Sequence, residues 1–252
     1  MIKQSKQIKK RLPAVQLLAL GFFLLILVGG GLLTLPFFSN SGHGTNFIDA
    51  LFTATSAVCV TGLTTLNTAE HWNSAGQFLI MLLIEIGGLG FMMVPILCFA
   101  LIKKKVSLST RIILKEALNL EEVSGVMKLM LYILKLAFVI QLIGTVALSF
   151  VFVPEFGWLK GIWYSLFHAI SSFCNAGFDI LGPNSLIDIN NHVFILMVIG
   201  LLIVIGGLGF NVILDIVHNG FNFKKYSLHS KIVLTTTILM LSITSNIIRK
   251  RR

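Results

Sequence analysis

Long apolar runs, each close to the thickness of a bilayer, constrain this chain more than any other feature of its sequence. A helix needs about 20 apolar residues to cross the roughly 30 Å hydrocarbon core of a membrane. The 252-residue chain is 56% hydrophobic and only 12% charged, which excludes an ordinary soluble domain. The runs predict an all-α, multi-pass membrane protein. Its predicted spans are residues 14–38, 76–102, 127–153, 192–217 and a shorter run at 232–248.

The loops between these runs are of two kinds that differ in charge. Basic residues cluster at 3–11, 103–128 and 224–231. The segments 39–76 and 154–191 contain one basic residue between them, Lys160. Cytoplasmic loops of membrane proteins carry an excess of Lys and Arg. We therefore predict a cell-membrane protein in the lipid bilayer with a cytoplasmic N-terminus, and the net charge of +10 does not indicate nucleic-acid binding.

Two stretches of the chain repeat. LIEIGGLGF at 83–91 matches LIVIGGLGF at 202–210 in eight of nine positions, and the segment 52–62 shares its Phe, Ala, Ser, Cys and Gly with 167–177. The two offsets, 119 and 115, differ by four residues. We expect the extra residues of the second unit within LGPNSLID, residues 181–188.

A basic stretch on the cytoplasmic side repeats as well, at 103–114 and 222–234. Each unit therefore has the order span, apolar outer segment, Gly-ended loop, span and basic linker. The predicted division is 1–126, 127–231 and 232–252, the last being the opening of a third unit. Two spans return the chain to the same side of the membrane, so the units should be related by an axis along the membrane normal.

The linker 107–124 places apolar residues near the helical period with charged residues between them. This pattern indicates an amphipathic helix. Periodicity leaves open whether its apolar face lies on the cytoplasmic lipid surface or docks a soluble partner.

A loop of uncharged, mostly small or weakly polar residues follows each apolar outer segment. The segments 47–58 and 160–173 are too short to cross a bilayer, and runs of roughly 10–14 apolar residues are typical of re-entrant segments. Irregular backbone at membrane depth is tolerated only where protein covers it or where it lines a water-filled cavity. Residues 58–62 and 173–177 are therefore predicted to line a cavity.

These loops contain few reactive side chains, so their backbone carbonyl oxygens are the groups that could bind a ligand. Carbonyl oxygens around a narrow lumen can replace the hydration shell of a monovalent cation, and the C-terminal end of a re-entrant helix adds partial negative charge. Asp49 and Asp179 either add negative potential near the mouth or are solvated loop carboxylates. Glu85 lies within a predicted span, where a carboxylate is a functional-site hypothesis by default. It would face the ion path, pair with another unit or stay protonated.

The loops TSAVCVTGL (55–63) and SSFCNAGFD (171–179), each followed by IGGLGF, resemble the filter loops and second helices of the Trk/Ktr/HKT superfamily of potassium transporters. The match is closest to the bacterial Ktr-type membrane subunit. The resemblance implies two M1–P–M2 repeats (helix, re-entrant pore loop, helix) and the start of a third M1. It implies filter carbonyls from Val60, Thr61, Gly62, Asn175, Ala176 and Gly177. The residues flanking them are Val58, Cys59, Phe173 and Cys174.

The same resemblance implies ions and partners. K+ is the implied substrate ion and Na+ a candidate coupling ion, with no transition metal and no covalent cofactor. A homodimer and a cytoplasmic nucleotide-binding regulatory subunit are implied as partners, so that any nucleotide acts through that subunit.

Family members carry four such units in one chain, whereas this chain has two and the opening of a third. A fifth span would place the basic residues 249–252 on the outer side, against the positive-inside rule. The expectation is a product truncated near residue 240. Two functions then stay open: a protein that completes its filter with a second copy, or a membrane fragment or assembly subunit that does not transport.

Other kinds of chemistry find less support in the sequence. His168 with Ser171 and Ser172 suggests an intramembrane hydrolase, but Thr53 occupies the equivalent of His168 in the first unit, so no enzyme is predicted. The three cysteines, Cys59, Cys98 and Cys174, lack metal-site spacing. The paired glycines lack the dinucleotide-loop pattern and favour close helix packing.

Overall fold

The computed structural model describes residues 14–90, 126–189, 192–220 and 222–250. Within these ranges the chain is helical, and the β pairing is limited to a single bridge between Ser39 and Trp72. The helices are α1 (Ala14–Leu33), α2 (Phe47–Val58), α3 (Thr68–His71), α4 (Ser74–Gly88), α5 (Val126–Phe156), α6 (Trp158–Phe173), α7 (Val193–Gly207), α8 (Phe210–Asn219) and α9 (Leu228–Lys250). Short 3-10 turns lie at Pro36–Phe38, Ser185–Ile189 and Phe223–Lys225. The predicted all-α fold class is confirmed.

Each predicted apolar run contains a helix, but most of these helices are shorter than the predicted span or are bent. Among the described residues, one helix, Leu131–Phe156, is long and apolar enough to cross a membrane alone. The run 192–217, predicted as one span, is instead broken into α7 and α8, which are bent by 99° at a short break. Gly209 lies in this break with φ +83°, a backbone angle that a continuing α-helix cannot contain. The helix α4 ends at Gly88, and residues 91–102 of the run 76–102 are outside the described residues.

Some predictions fall on residues that the structure does not describe. The amphipathic linker 107–124, Cys98 and the basic residues 251–252 all lie there. They stay predictions, as do the domain boundaries.

The described chain divides into two compact units. The first comprises residues up to 139 together with 176–185, and the second comprises 140–175 and 186 onward. The boundary between these two units falls within α5.

In the first unit, α1, α2 and α4 pack on one another through small residues. A Cβ added at Gly29 would lie 2.8 Å from Leu83 of α4, and one added at Gly30 would lie 3.0 Å from the backbone of Leu51 on α2. Trp72 is fully buried, and its side chain lies 3.1 Å from a Cβ added at Gly76 of α4. Close approach of helix backbones is what glycine permits in apolar packing.

Asparagines cap the three helices α2, α3 and α4 of the first unit, and the cap of α4 also binds the connecting loop. Asn73 caps α4 by accepting from the N–H groups of Ala75 and Gly76. Its amide also donates to the carbonyl of Phe37 at 2.7 Å. Asn46 caps α2 by accepting from Ile48 N–H at 2.9 Å. These bonds satisfy donors that a helix start otherwise leaves unpaired.

The second unit repeats the small-residue packing. A Cβ at Gly144 of α5 would lie 2.8 Å from Leu202 of α7, as at Gly29 in the first unit. At Gly161 of α6 it would lie 2.5 Å from the backbone of Val153, so α6 folds back directly onto the end of α5. The buried ring of Phe152 packs beside His168 at a centroid distance of 5.5 Å.

The closest helix contact occurs in both units at equivalent positions. A Cβ added at Gly87 of α4 would lie 2.1 Å from the carbonyl oxygen of Val58, the last residue of α2. One added at Gly206 of α7 would lie 1.8 Å from the carbonyl oxygen of Phe173, the last residue of α6. The repeated IGGLGF motif therefore serves backbone-to-backbone packing, as its glycines predicted.

This packing makes a direct prediction for α7. We expect Gly206→Ala to lower the free energy of unfolding by about 1–3 kcal/mol, because the new methyl group overlaps a backbone carbonyl that cannot rotate away. Gly200→Ala is the matched control on the same helix, since nothing lies within 4 Å of its added Cβ. Thermal unfolding of the purified chain in detergent measures both. Equal melting temperatures for the two variants would contradict the packing.

The imidazole of His71 makes stability depend on pH. Its Nε2 lies 2.8 Å from the Thr45 hydroxyl, and burial lowers its pKa below 6.5, partly opposed by the negative charge of Asp49. A lowered folded-state pKa favours the neutral ring, so the stabilisation is complete above pH 6.5 and is lost as the pH falls through the folded-state value.

We therefore expect the melting temperature of the chain to fall between pH 7.5 and 5.5, and expect His71→Gln to reduce that fall. His43→Gln is the control, because His43 is exposed on the same connecting segment. An undiminished fall in His71→Gln would assign the pH dependence to another group.

Candidate functional site

Two helices lead into the predicted loops and end in the same way. The helix α2 ends at Val58 with Cys59 at φ −87°, ψ 2°, and α6 ends at Phe173 with Cys174 at φ −75°, ψ −4°. The Cys59 N–H donates to the Thr55 carbonyl at 2.8 Å, and the Cys174 N–H donates to Ile170 at 2.9 Å. Each helix thus presents its C-terminal carbonyls, which carry partial negative charge, toward the loop that follows. We call residues 59–62 the first glycine loop and residues 174–177 the second.

Both glycine loops use the left-handed region at the same two positions. Val60 and Gly62 have φ of +48° and +72°, and Asn175 and Gly177 have φ of +58° and +73°. Gly and Asn tolerate this region, whereas a β-branched residue such as Val is an outlier there. Such strain costs on the order of 1–3 kcal/mol and persists only where the surroundings enforce it.

Hydrogen bonds enforce the first glycine loop. The Thr61 N–H donates to the Ser56 carbonyl at 2.9 Å, and the Thr61 hydroxyl donates to the Ser56 hydroxyl at 2.9 Å. Val60 N–H donates to Ala57 at 3.3 Å. Two backbone hydrogen bonds and one side-chain hydrogen bond therefore hold Val60 in its strained conformation.

A side-chain amide holds the second glycine loop. With its amide oriented to match both partners, Asn175 donates to the Ile203 carbonyl and accepts from Gly207 N–H, each at 3.3 Å. Both partners lie at the end of α7. Asn175 is thus fastened to the helix that packs against Phe173.

The glycines of the two loops touch. A Cβ on Gly62 would lie 2.7 Å from the Ala176 carbonyl oxygen and 3.1 Å from Gly177 Cα, and all three residues belong to the first unit. The contact brings together Gly62, Ala176 and Gly177, three of the six predicted filter residues. It also explains why no side chain is present at Gly62.

A cavity of about 150 Å³ opens beside these glycines, within the first unit. Gly62, Thr64, Asn67 and Thr68 line one side of it. The other side comes from the segment 177–185, which contributes Gly177, Phe178, Asp179, Gly182, Pro183 and Ser185. We call it the loop cavity. Of the three predicted acidic candidates, Asp179 alone lines it.

Asp179 is half-buried and is held by its own segment. One carboxylate oxygen accepts from Leu181 N–H at 3.2 Å, and the other accepts from the Ser185 hydroxyl at 2.8 Å. Ser185 stands at φ +53°, a third non-glycine residue in the left-handed region.

The other acidic candidates lie elsewhere. Asp49 is in the first turn of α2, at the opposite end from the first glycine loop and about 14 Å from it along the helix axis. There its charge favours the helix start. Glu85 is on α4, two residues before Gly87, with one carboxylate oxygen buried.

The remaining predicted loop residues differ in exposure. Val58 and Phe173, the last helical residues, are buried, and so are Ala176 and Cys174. Cys59, Thr61, Asn175 and Gly177 are exposed. The exposed positions alternate with covered ones, so the loops present an uncharged, mainly backbone surface.

The residues of the hydrolase hypothesis are packing residues in this structure. His168, Ser171 and Ser172 are all buried in α6. The His168 Nδ1 donates to the Tyr164 carbonyl at 2.7 Å, as the Thr53 hydroxyl donates to Asp49 in the first unit at 2.9 Å. His168 and Thr53, which are equivalent in the two units, thus each donate a side-chain hydrogen bond to the carbonyl four residues earlier.

Sequence reasoning missed the hydroxyl and amide residues of the loop cavity: Thr64, Asn67, Thr68 and Ser185. One sequence feature could have indicated part of this set: the repeat offsets differ by four residues, and the extra residues were expected within 181–188. That segment supplies Gly182, Pro183 and Ser185 to the cavity wall.

Comparison with known proteins places the chain among transport proteins. Residues 20–244 match the family model TrkH, described as a cation transport protein. The potassium/sodium uptake protein NtpJ of Enterococcus hirae is 70% identical over 237 residues, which are 94% of this chain and 52% of that protein. The Ktr system potassium uptake protein B of Bacillus subtilis is 42% identical over 240 residues (95% and 53%). The protein of that name from Vibrio alginolyticus is 39% identical over 243 residues (95% and 52%).

The chain spans about half the length of the curated relatives that it matches. The family match covers most of the chain, including both glycine loops and both IGGLGF motifs. The resemblance seen in the sequence is thereby confirmed, and the class is that of transporters rather than enzymes. The chain belongs to the TrkH family of membrane cation transport proteins.

Proposed function

We propose that this chain takes part in K+ uptake across the cell membrane, with Na+ as a second or coupling ion. The carrying observation is the pair of glycine loops. They share one backbone conformation, stand at helix C-termini and touch at Gly62 and Gly177. The names of its relatives, potassium/sodium and potassium uptake proteins, support the choice of ions.

In this proposal each glycine loop is one wall of a filter. The carbonyls of Val60, Thr61 and Gly62, and of Asn175, Ala176 and Gly177, replace water around a cation. The partial negative charge at the ends of α2 and α6 favours a cation without a fixed anion that would hold it too tightly. The residues around the filter form two M1–P–M2 repeats with the N-terminus in the cytoplasm, as the charge of the loops indicates.

A ring of carbonyls needs walls on all sides, and two loops supply half of them. Relatives about twice as long have room for two more units. We propose that the missing walls come from further units of this kind, on the same polypeptide or on a second copy. A homodimer and a cytoplasmic nucleotide-binding regulatory subunit complete the proposed assembly, in keeping with relatives named as parts of a Ktr system.

The second candidate function is a membrane subunit that does not itself transport. Rb+ flux into vesicles containing the purified chain separates the two functions, since a non-transporting subunit gives no more flux than empty vesicles.

The filter proposal predicts a specific effect at Gly62. We expect Gly62→Ala to reduce Rb+ uptake at least about tenfold, because its methyl group would lie 2.7 Å from the Ala176 carbonyl and distort both loops. Gly42→Ala is the matched control. It has nearly the same φ, +70° against +72°, but nothing lies within 4 Å of its added Cβ. Equal uptake by the two variants would show that the loop contact is not on the ion path.

A substitution at Glu85 gives a second test of the proposed ion path. We propose that its half-buried carboxylate adds negative potential close to the first glycine loop, through the contact of α4 with Val58. Glu85→Gln keeps the shape and removes the charge, so we expect a several-fold loss of uptake rate. Unchanged rate and affinity would remove Glu85 from the mechanism.

A further inference from the structure

The loop cavity contains one carboxylate among neutral oxygens. Its polar side chains are the hydroxyls of Thr64, Thr68 and Ser185, the Asn67 amide and the Asp179 carboxylate. Its lining includes Gly62 and Gly177, the last residues of the two glycine loops. A volume of about 150 Å³ holds an alkali cation with several water molecules, since one water occupies roughly 30 Å³ in the liquid.

Asp179 keeps about half of its lone-pair positions for a cation. A carboxylate has about four lone-pair positions, and Asp179 uses two of them, for Leu181 N–H and the Ser185 hydroxyl. Both donors are neutral and leave the charge uncompensated. They also fix the carboxylate on its own turn, so it is oriented before an ion arrives.

No Lys or Arg of the nearby connecting segments offsets this charge. In the first unit, the segments 39–76 and 176–185 contain Asp49, Glu70 and Asp179 and no Lys or Arg. A carboxylate in a partly enclosed site lined by one sign of charge raises the local concentration of cations.

The composition of the site favours a monovalent ion. Ca2+ is bound by six to eight oxygens, commonly from several carboxylates, whereas this cavity has one carboxylate with hydroxyl, amide and water oxygens. A single carboxylate leaves the ion partly hydrated and weakly held, which suits a site that passes its ion onward.

We propose that Asp179 and the loop cavity form a loading site, where a partly hydrated alkali cation is held before it enters the filter at Gly62 and Gly177. This inference rests on the proposed uptake function and assigns it a separate outer step. The site raises the occupancy of the filter entrance at low external K+. It therefore lowers the KM for uptake, whereas kcat is set by passage through the filter.

The test compares two variants that remove the same charge. Asp179→Asn is expected to raise the KM for Rb+ about threefold to tenfold with kcat within about twofold, and the effect should shrink as ionic strength increases. Glu70→Gln is the control, because Glu70 is an exposed carboxylate of the same unit that does not line the cavity. A KM that rises equally in both variants, or in neither, would overturn the loading site.

A second measurement does not depend on transport. Tl+, a mimic of K+, should raise the melting temperature of the wild-type chain and of Glu70→Gln in detergent relative to an equal concentration of a large organic cation. Asp179→Asn should lose part of this protection. Equal protection of all three proteins would overturn the site.

The two failures are distinguishable. Wild-type vesicles without Rb+ flux contradict the proposed function of the isolated chain, and the Tl+ protection then decides the loading site alone. Wild-type flux with an unchanged KM in Asp179→Asn contradicts only the loading site. Stronger protection by Ca2+ than by Tl+ that is lost in Asp179→Asn would replace the monovalent assignment with a divalent one.

Discussion

Both glycine loops depend on one contact, a helix backbone pressed against the last carbonyl of the preceding helix. Gly87 lies on Val58 in the first unit, and Gly206 lies on Phe173 in the second. Any side chain at these glycines would overlap the carbonyl. The chain that leaves the end of each first helix turns through left-handed residues at equivalent positions beside this contact.

The two loops reach one conformation by different means. Val60 is held in a region unfavourable for a β-branched residue by hydrogen bonds of Ser56 and Thr61. Asn175 tolerates that region and binds the end of α7 with its amide. Two unrelated side chains at equivalent positions thus support one backbone path. The proposed filter needs only the shared backbone path, because it uses backbone carbonyls and not side chains.

Much of this architecture could be predicted from the sequence, and the failures have physical causes. The apolar runs located the helices, and the repeated motifs located the loops. The break between α7 and α8 was missed because the apolar composition continues through Leu208 and Phe210, and hydropathy does not register a bend at Gly209.

The sequence by itself determined the helical class, the repeat, the neutral loops and the family, because hydropathy, spacing and motif identity are properties of the linear chain. Only the tertiary structure decided which residues meet at the loops. Gly62 touches Gly177, Asp179 enters the loop cavity with Ser185, and Asp49 lies at the far end of its helix. These outcomes depend on backbone turns at residues distant in sequence, and no local pattern encodes the distance between them.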